Sequence, residues 1–239
     1  MVAPKRYAVV DFETTGFGST DRVIEIGVVL LDHNREVEST WETLVQPQRD
    51  IPNSFVHHIT PTDVVDAPLF GEVAGEFFDL LNGRTVVAHN APFEVRFLQR
   101  EFSNLGVAWP NYGAWVVDTK RLFQQTYPGE DTTLEHALKV VGITNARPHS
   151  ALADALATAE LFAWLVSQGN DVVISSRAIT LPPHEFPARG ALLPRTALAE
   201  DLTHKRGEWL ARLVDTAAPE GSGDAEKYKK LLAAALVDK

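Results

Sequence analysis

The chain has 239 residues, enough for one sizeable core with an appendage or for two small domains. It is 45% hydrophobic, and it lacks the apolar run of about 18 residues that would predict a segment spanning a membrane, so no membrane is expected as a partner. The lack of cysteine excludes disulfides and thiolate zinc sites, and it favours a cytoplasmic location. The net charge of −10 argues against a broad basic face for nucleic acid, so the chain either avoids nucleic acid or meets phosphates through bound cations.

Three strands are predicted at the start of the chain. Residues 7–10 are all apolar and lead into a segment that ends at the Gly16 turn, which is typical of a buried strand. A second apolar run follows at 23–31, and residues 39–45 predict a third strand. Because short links join these strands, we expect them to be antiparallel.

Helices and strands then alternate along the chain. Apolar residues at helical spacing predict helices over 64–81, 92–105, 119–127, 132–141 and 150–167. Short β-prone runs predict two further strands at 85–88 and 115–117. The pattern predicts an α/β fold in which helices flank a mixed five-stranded sheet.

The composition changes after Gly169, and we place the end of the main domain there, at 1–169. Residues 170–200 are predicted to form a Pro-rich linker. Helix-like patterns at about 202–215 and 224–237 predict a small helical appendage over 201–239. Because its last segment reaches Lys239 without a capping glycine, we interpret the appendage as cut within a longer C-terminal module.

The pair Asp11 and Glu13 is the first candidate site. Residues two apart on a strand project from the same face, so two carboxylates stand side by side at the end of a buried strand. Their repulsion and lost hydration are relieved by a divalent cation. In the alternative interpretation, both side chains point into solvent beyond the sheet.

A second candidate pair is His149 and Asp154, which follow the break at Pro148. Five residues on a regular helix subtend about 140°, so we expect His149 in the loop and Asp154 in the early turns of the helix. An imidazole beside a carboxylate–metal site can take a proton from water. Taken singly, an exposed loop histidine and an acid that stabilises a helix N-terminus explain the two residues equally well.

Glu94 opens the helix after Pro92, where an acid is often only a stabilising charge. Together with Asp11, Glu13 and Asp154, however, it forms an all-oxygen set that suits Mg²⁺ or Mn²⁺ better than zinc. Two such ions would activate a water and stabilise the leaving oxygen of a phosphoryl displacement.

Three segments resemble the three motifs of the DEDDh (DnaQ-like) 3′→5′ exonuclease superfamily. They are DFETTG at 11–16, AHNAPFEVRFL at 88–98 and HSALADA at 149–155. The resemblance covers about residues 5–167 and includes RVIEIG at 22–27 and VHHIT at 56–60. It implies a ribonuclease H-like fold with the first three strands antiparallel, and an exonuclease domain at 1–169.

The resemblance also implies roles for single residues. It makes His149 the general base and makes metal ligands of Asp11, Glu13 and Asp154, and it gives Glu94 the place of the second-motif aspartate. The pocket for the 3′-terminal nucleotide matches Thr14, His57, Asn90 and Phe93. Two positions depart from the family pattern, because Glu94 replaces an aspartate and His58 stands where glycine is usual. We interpret Asp118 as structural, at a strand-to-helix junction.

The expected function is metal-dependent 3′→5′ hydrolysis of DNA in proofreading or repair, with two Mg²⁺ or Mn²⁺ ions as cofactors. The expected partners are a single-stranded or frayed 3′ end and a DNA polymerase. An exoribonuclease is the alternative, because the motifs do not separate DNA from RNA. A further alternative is a non-catalytic module that binds nucleic acid or a polymerase, and among the motif residues Glu94 favours it.

Overall fold

A computed structural model describes residues 5–52, 54–169, 176–186 and 189–195, and its centre is a five-stranded mixed sheet. The strands are β1 Tyr7–Thr14, β2 Val23–Leu31, β3 Val37–Leu44, β4 Thr85–Ala88 and β5 Val116–Asp118. Their order is β3-β2-β1-β4-β5, with β1 to β3 antiparallel and β4 and β5 parallel to β1. The predicted ribonuclease H-like α/β fold is confirmed.

Helices cover both faces of the sheet. They are α1 Ser54–His57, α2 Phe70–Leu81, α3 Ala91–Asn104, α4 Thr119–Thr126, α5 Leu134–Val141 and α6 Ala151–Ser167. Successive residues of a strand point to opposite faces, so Val10 packs with α2 and α3 while Val9 packs with α4, α5 and α6. Because β1 and β2 are buried on both faces, their sequences are apolar runs rather than alternating patterns.

The helix predicted over 64–81 begins later, at Phe70. Val64 and Ala67 are buried, but they lie in turns, and a residue that precedes Pro68 is disfavoured in helical conformation. The helix starts after Leu69, whose N–H donates to the Glu72 carboxylate at 2.7 Å. The single-turn helix α1 was not predicted, because four residues carry no detectable periodicity.

The register of the sheet places the predicted acids at the carboxyl edge of the parallel strands. Val9 of β1 pairs with Val87 of β4, so Asp11 and Glu13 lie beyond the last residue of β4, Ala88. The chain turns there at Asn90 and enters α3. The ends of β1 and β4 and the start of α3 therefore meet at one edge of the sheet.

The stretch predicted as a Pro-rich linker is extended where the structure describes it, and it is bonded to the main unit. We call residues 176–186 and 189–194 the C-terminal strap. Ile179 exchanges backbone hydrogen bonds with Gly83 and Arg84, at 2.9 and 2.8 Å. Further along, Leu44 of β3 donates to the carbonyl of Leu193 at 2.8 Å. The compact unit that holds the sheet accordingly runs from Met1 to Pro194.

A second compact unit is assigned to residues 195–239, and beyond Arg195 it lies outside the described residues. The predicted helices at 202–215 and 224–237 fall in that part of the chain. In the described ranges, no helix has both the length and the apolar character needed to cross a membrane.

Candidate active site

A single cleft of about 420 Å³ at the carboxyl edge of the sheet brings together every residue that was predicted for the site. The predicted residues that line it are Asp11, Glu13, Thr14, His57, Asn90, Phe93, Glu94, His149 and Asp154. They come from the end of β1, from α1, from the start of α3 and from the loop and first turn of α6. We call this cavity the acidic cleft.

Asp11 and Glu13 project from one face of β1 into the acidic cleft, and both are half-buried. Desolvation raises the pKa of Asp11 well above its ordinary value, and the neighbouring carboxylates of Asp154 and Glu94 raise this pKa further. An Asp11 side chain that pointed into open solvent would show neither effect. The placement of the pair therefore agrees with the paired-carboxylate interpretation rather than with the solvent-facing alternative.

Glu94 lies in the first turn of α3, and only 3% of its surface is exposed. Burial is the largest cause that raises its pKa well above the ordinary value, and the nearby carboxylates of Asp118 and Glu13 act in the same direction. Its Oε2 atom accepts no hydrogen bond from the described residues. An acid that served only to stabilise a helix start would face water, so burial sets Glu94 apart from that alternative.

His149 and Asp154 occupy the loop and helix positions that the Pro148 break predicts. His149 is exposed and has a left-handed backbone with φ of 62°, while Asp154 lies in the first turn of α6. In the described residues, one group of potential metal ligands has its atoms within 4.8 Å of one another, and it consists of Glu13, His149 and Asp154. Asp11, a predicted ligand, lies outside this tight group, although its pKa responds to the Asp154 carboxylate.

Both oxygens of Asp154 accept hydrogen bonds from the loop that precedes α6. The backbone N–H of His149 donates to Oδ2 at 3.1 Å, and the Asn145 side-chain amide donates to Oδ1. Asn145 was not identified from the sequence. Its side chain belongs to a loop without regular structure, so its contact with Asp154 depends on how that loop folds back on α6.

The predicted nucleotide-pocket residues have ordered surroundings. The Thr14 hydroxyl donates to the Gly16 carbonyl at 2.9 Å, and the Nδ1 atom of buried His57 accepts from the N–H of Ile59 at 3.1 Å. The Asn90 N–H donates to the Asp118 carboxylate at 3.1 Å. The same Asp118 oxygen accepts from the Lys120 N–H at the start of α4, which agrees with a structural role.

Two exposed aromatic rings on the rim of the acidic cleft were missed from the sequence. Phe17 is 77% exposed, and its ring lies 5.9 Å from that of Phe93. Phe55, on α1, is 75% exposed and lines the same cleft. A large apolar side chain directly after the Gly16 turn was the available signal for Phe17. Exposed rings of this kind offer stacking surfaces for bases.

The departure at His58 has a conformational explanation. His58 has a φ of 58°, in the left-handed region where glycine is favoured. Histidine is several-fold enriched among the non-glycine residues that adopt this region. Histidine therefore tolerates the backbone conformation of the turn that presents His57 to the cleft.

Comparison with known proteins assigns the chain to a family. The family model described as Exonuclease matches residues 8–162. A relative from Haemophilus influenzae, named DNA polymerase III subunit epsilon, is 36% identical over 174 residues, which cover 68% of this chain and 68% of the relative. The chain belongs to this Exonuclease family.

Solved structures of DEDDh exonucleases and their relatives share this fold. The nuclease domain of 3′hExo, a DEDDh family member bound to rAMP, has a TM-score of 0.62 at 20% identity and covers 77% of this chain and 98% of its own. Exonuclease X in complex with 5′ overhanging duplex DNA has a TM-score of 0.54 at 25% identity and covers 68% and 92%.

This exonuclease fold implies the use of divalent metal ions, and the acidic cleft fits such ions. It gathers the carboxylates of Asp11, Glu13, Glu94 and Asp154. Burial first, and repulsion from neighbouring carboxylates second, raise the pKa values of Asp11 and Glu94. The Oε2 atom of Glu94 is buried without a hydrogen-bond donor from the described residues, an unusual state that a cation would relieve. An all-oxygen carboxylate set of this kind suits hard cations.

Proposed function

We propose that the chain removes nucleoside monophosphates from the 3′ end of DNA by two-metal-ion hydrolysis. The observation that carries the proposal is the convergence of four carboxylates and one histidine, from β1, α3 and α6, in the acidic cleft. Such a site lets an acidic protein hold a polyanion locally without a broad basic face.

In this mechanism the chain's own residues have two tasks, which are to hold the cations and to accept a proton. Asp11, Glu13 and Asp154 would hold the two cations, Mg²⁺ or Mn²⁺, with Glu94 as the fourth carboxylate. When bound, these ions supply the positive charge that activates water and stabilises the leaving oxygen. His149 accepts the proton of the attacking water at one of its ring nitrogens.

The terminal nucleotide is held on the side of the cleft that faces α1 and α3. Thr14, His57, Asn90 and Phe93 bind it, and the exposed ring of Phe17 extends the stacking surface beyond Phe93.

DNA is the favoured substrate because relatives above 30% identity are named as DNA polymerase III subunits. Besides the Haemophilus protein, the Escherichia coli protein of the same name is 32% identical over 169 residues. These names also suggest a DNA polymerase as a partner. RNA is the second candidate, because a structure of the same fold was solved with bound rAMP.

Catalysis is favoured over a non-catalytic binding module. Loss of activity in an enzyme fold usually removes the acids, whereas each acidic position of the three motifs here retains a carboxylate. The buried state of Glu94 at the substituted position adds to this argument, because a decayed ligand position has no reason to keep a buried carboxyl group.

The test uses single-stranded DNA and RNA of one sequence, each labelled at its 5′ end. With Mn²⁺ or Mg²⁺, we expect a ladder of products that shortens from the 3′ end, faster on DNA, and no products in EDTA. Asp11→Asn serves as the inactive control. Full hydrolysis in EDTA would refute the metal mechanism, and a faster reaction on RNA would replace the substrate proposal with its alternative.

A further inference from the structure

Glu25 is a fully buried carboxylate of β2 that faces the start of α6. None of its surface is exposed. Its Oε2 atom accepts a hydrogen bond from the backbone N–H of Ala151 at 3.2 Å, and its Oε1 atom accepts one from the Ser150 hydroxyl at 3.4 Å. Glu25 therefore connects the sheet directly to the first residues of the helix that carries Asp154.

A buried carboxylate is costly unless its charge and its hydrogen-bonding capacity are met. The start of a helix meets both, because its first N–H groups lack partners within the helix and its dipole is positive at that end. The contact thus satisfies Glu25 and caps α6 at once. It also fixes where along the sheet the helix begins.

Gly27, two residues further along β2, lets α6 approach the sheet closely. A Cβ atom at this position would lie 2.3 Å from the carbonyl carbon of Ala151 and 2.4 Å from the backbone nitrogen of Leu152. These are backbone atoms, so a side chain at residue 27 would force the helix away. The close approach is therefore specific to glycine at this position.

The cross-strand register aligns these two residues with the catalytic acids. Glu25 pairs with Glu13, and Gly27 pairs with Asp11. Residues directly opposite each other on neighbouring strands lie on the same face of a sheet. The residues that hold the start of α6 are therefore the direct neighbours of the two β1 acids that Asp154 must meet.

We infer that Glu25 is a positioning residue that anchors the start of α6, so that Asp154 and His149 lie opposite Asp11 and Glu13. This inference rests on the proposed function. Glu25 contacts α6 directly, because its two oxygens accept hydrogen bonds from Ser150 and Ala151. Glu25 has no role in the reaction proposed above.

The test variant is Glu25→Gln, which keeps the size of the side chain. Its amide can keep one acceptor for the Ala151 N–H, but it loses the negative charge that meets the positive end of α6 and turns the charge-assisted hydrogen bonds into neutral ones. We expect kcat to fall by about 10–100-fold, with a matching loss of Mn²⁺ affinity in calorimetry, as for residues that orient metal ligands. We expect KM for a short DNA strand to change little, because the proposed nucleotide pocket lies on β1, α1 and α3.

The matched control is Glu101→Gln. Glu101 is equally buried, at 1% exposure, and it also connects β2 to a helix, since it binds Arg22 and the N–H of Val23 from α3. We expect this variant to lower the melting temperature and to retain kcat and Mn²⁺ affinity within about threefold. Gly27→Ala is the second test of the anchor, with the same kinetic effect as Glu25→Gln expected if the variant folds.

Wild-type kcat and Mn²⁺ affinity in folded Glu25→Gln would overturn the inference. An equal loss in Glu101→Gln would also overturn it, because a general effect of stability would then explain both. Calorimetry requires no turnover, so it tests the role of Glu25 even in a protein that does not cut. A wild-type protein that binds Mn²⁺ without cutting DNA or RNA would contradict the proposed function, and the Mn²⁺ affinities of the variants would still decide the role of Glu25. A wild-type protein that does not bind Mn²⁺ refutes both.

Discussion

The backbone N–H of His149 donates a hydrogen bond of 3.1 Å to Oδ2 of Asp154, five positions later in the chain. On a regular helix, side chains five residues apart diverge by about 140°. The left-handed φ of His149 and the break at Pro148 remove that constraint, because His149 lies in the loop and folds back over the first turn of α6. The two side chains therefore reach the same cleft from different local structures.

If His149 is the general base, His149→Ala lowers the rate of hydrolysis by about 10²–10⁴-fold. Mn²⁺ affinity should change little, which calorimetry measures. His136→Ala is the control. His136 lies 2.7 Å from the Glu130 carboxylate and does not line the acidic cleft. Because His149 lies within 4.8 Å of Glu13 and Asp154, a collapse of Mn²⁺ affinity in His149→Ala would instead make it a ligand.

Removal of one ligand carboxylate should nearly abolish hydrolysis. Asp11→Asn and Asp154→Asn each remove a negative charge from a site whose catalysis is largely electrostatic, so we expect the single-turnover rate to approach background. Asp79→Asn, at an exposed position of α2, should retain the wild-type rate. Because Asp11 lies outside the tight group of ligand atoms, a nearly active Asp11→Asn would restrict the metal site to the other acids.

Glu94 is one methylene longer than the aspartate that the family pattern places there, about 1.5 Å of extra reach. We expect Glu94→Gln to be severely impaired, because it removes a carboxylate from the cleft. We expect Glu94→Asp to be no faster than wild type, because misplacement of this size costs about 10²-fold. Single-turnover rates at saturating Mg²⁺ provide the measurement. A wild-type rate in Glu94→Gln would mean that Glu94 only stabilises the start of α3. A large gain in the rate of Glu94→Asp would mean that the natural protein is an attenuated nuclease.

The raised pKa of Glu94 predicts a pH dependence of stability in EDTA. A carboxyl whose pKa is higher in the folded chain binds protons more strongly when folded, so it lowers the free energy of unfolding as the pH rises above about 4. Glu94→Gln removes this effect, and we expect its melting temperature relative to wild type to be higher at pH 7.5 than at pH 4.5. With Mn²⁺ at pH 7.5, we expect wild type to melt above Glu94→Gln. A difference in melting temperature that does not change with pH in EDTA would contradict the prediction.

The C-terminal strap should contribute to the stability of the nuclease unit. Ile179 and Leu181 are buried, and Phe186 lies 5.1 Å from Phe78, so a fragment 1–169 would expose apolar surface on both partners. Each fully buried large apolar side chain contributes roughly 1.5–3 kcal/mol. We expect fragment 1–195 to melt like the full chain and fragment 1–169 to melt well below it. Equal melting temperatures of the two fragments would favour the boundary at 169.

The elements that the sequence predicted well are those whose burial is complete or periodic. The apolar runs of β1 and β2 identified both strands, and the glycine turn identified the end of β1. The start of α2 was misplaced because Val64 and Ala67 are buried in turns, and burial alone does not distinguish a turn from a helix.

The spacing of Asp11 with Glu13, and the break before Asp154, predicted part of the group that shares the cleft. Thr14, His57, Asn90 and Phe93 were predicted from the family resemblance, and the roles of all these residues stay predictions. Asn145 and Phe17 were missed because each acts through a tertiary contact, one with Asp154 and the other with Phe93. The strap was missed for the same reason. Its prolines predict an extended chain, whereas its attachment to Gly83 and Leu44 depends on the surface that those residues present.

The contact of Ala151 with Glu25 joins residues that are 126 positions apart. During synthesis, β1 and its two carboxylates leave the ribosome long before α6 exists, since chains emerge from their N-terminus. The nascent chain therefore lacks the docking partner of Glu25 and the proposed ligand Asp154 until α6 has emerged. Under the proposed mechanism, nascent chains that end before α6 are expected to leave the nucleic acid around them intact.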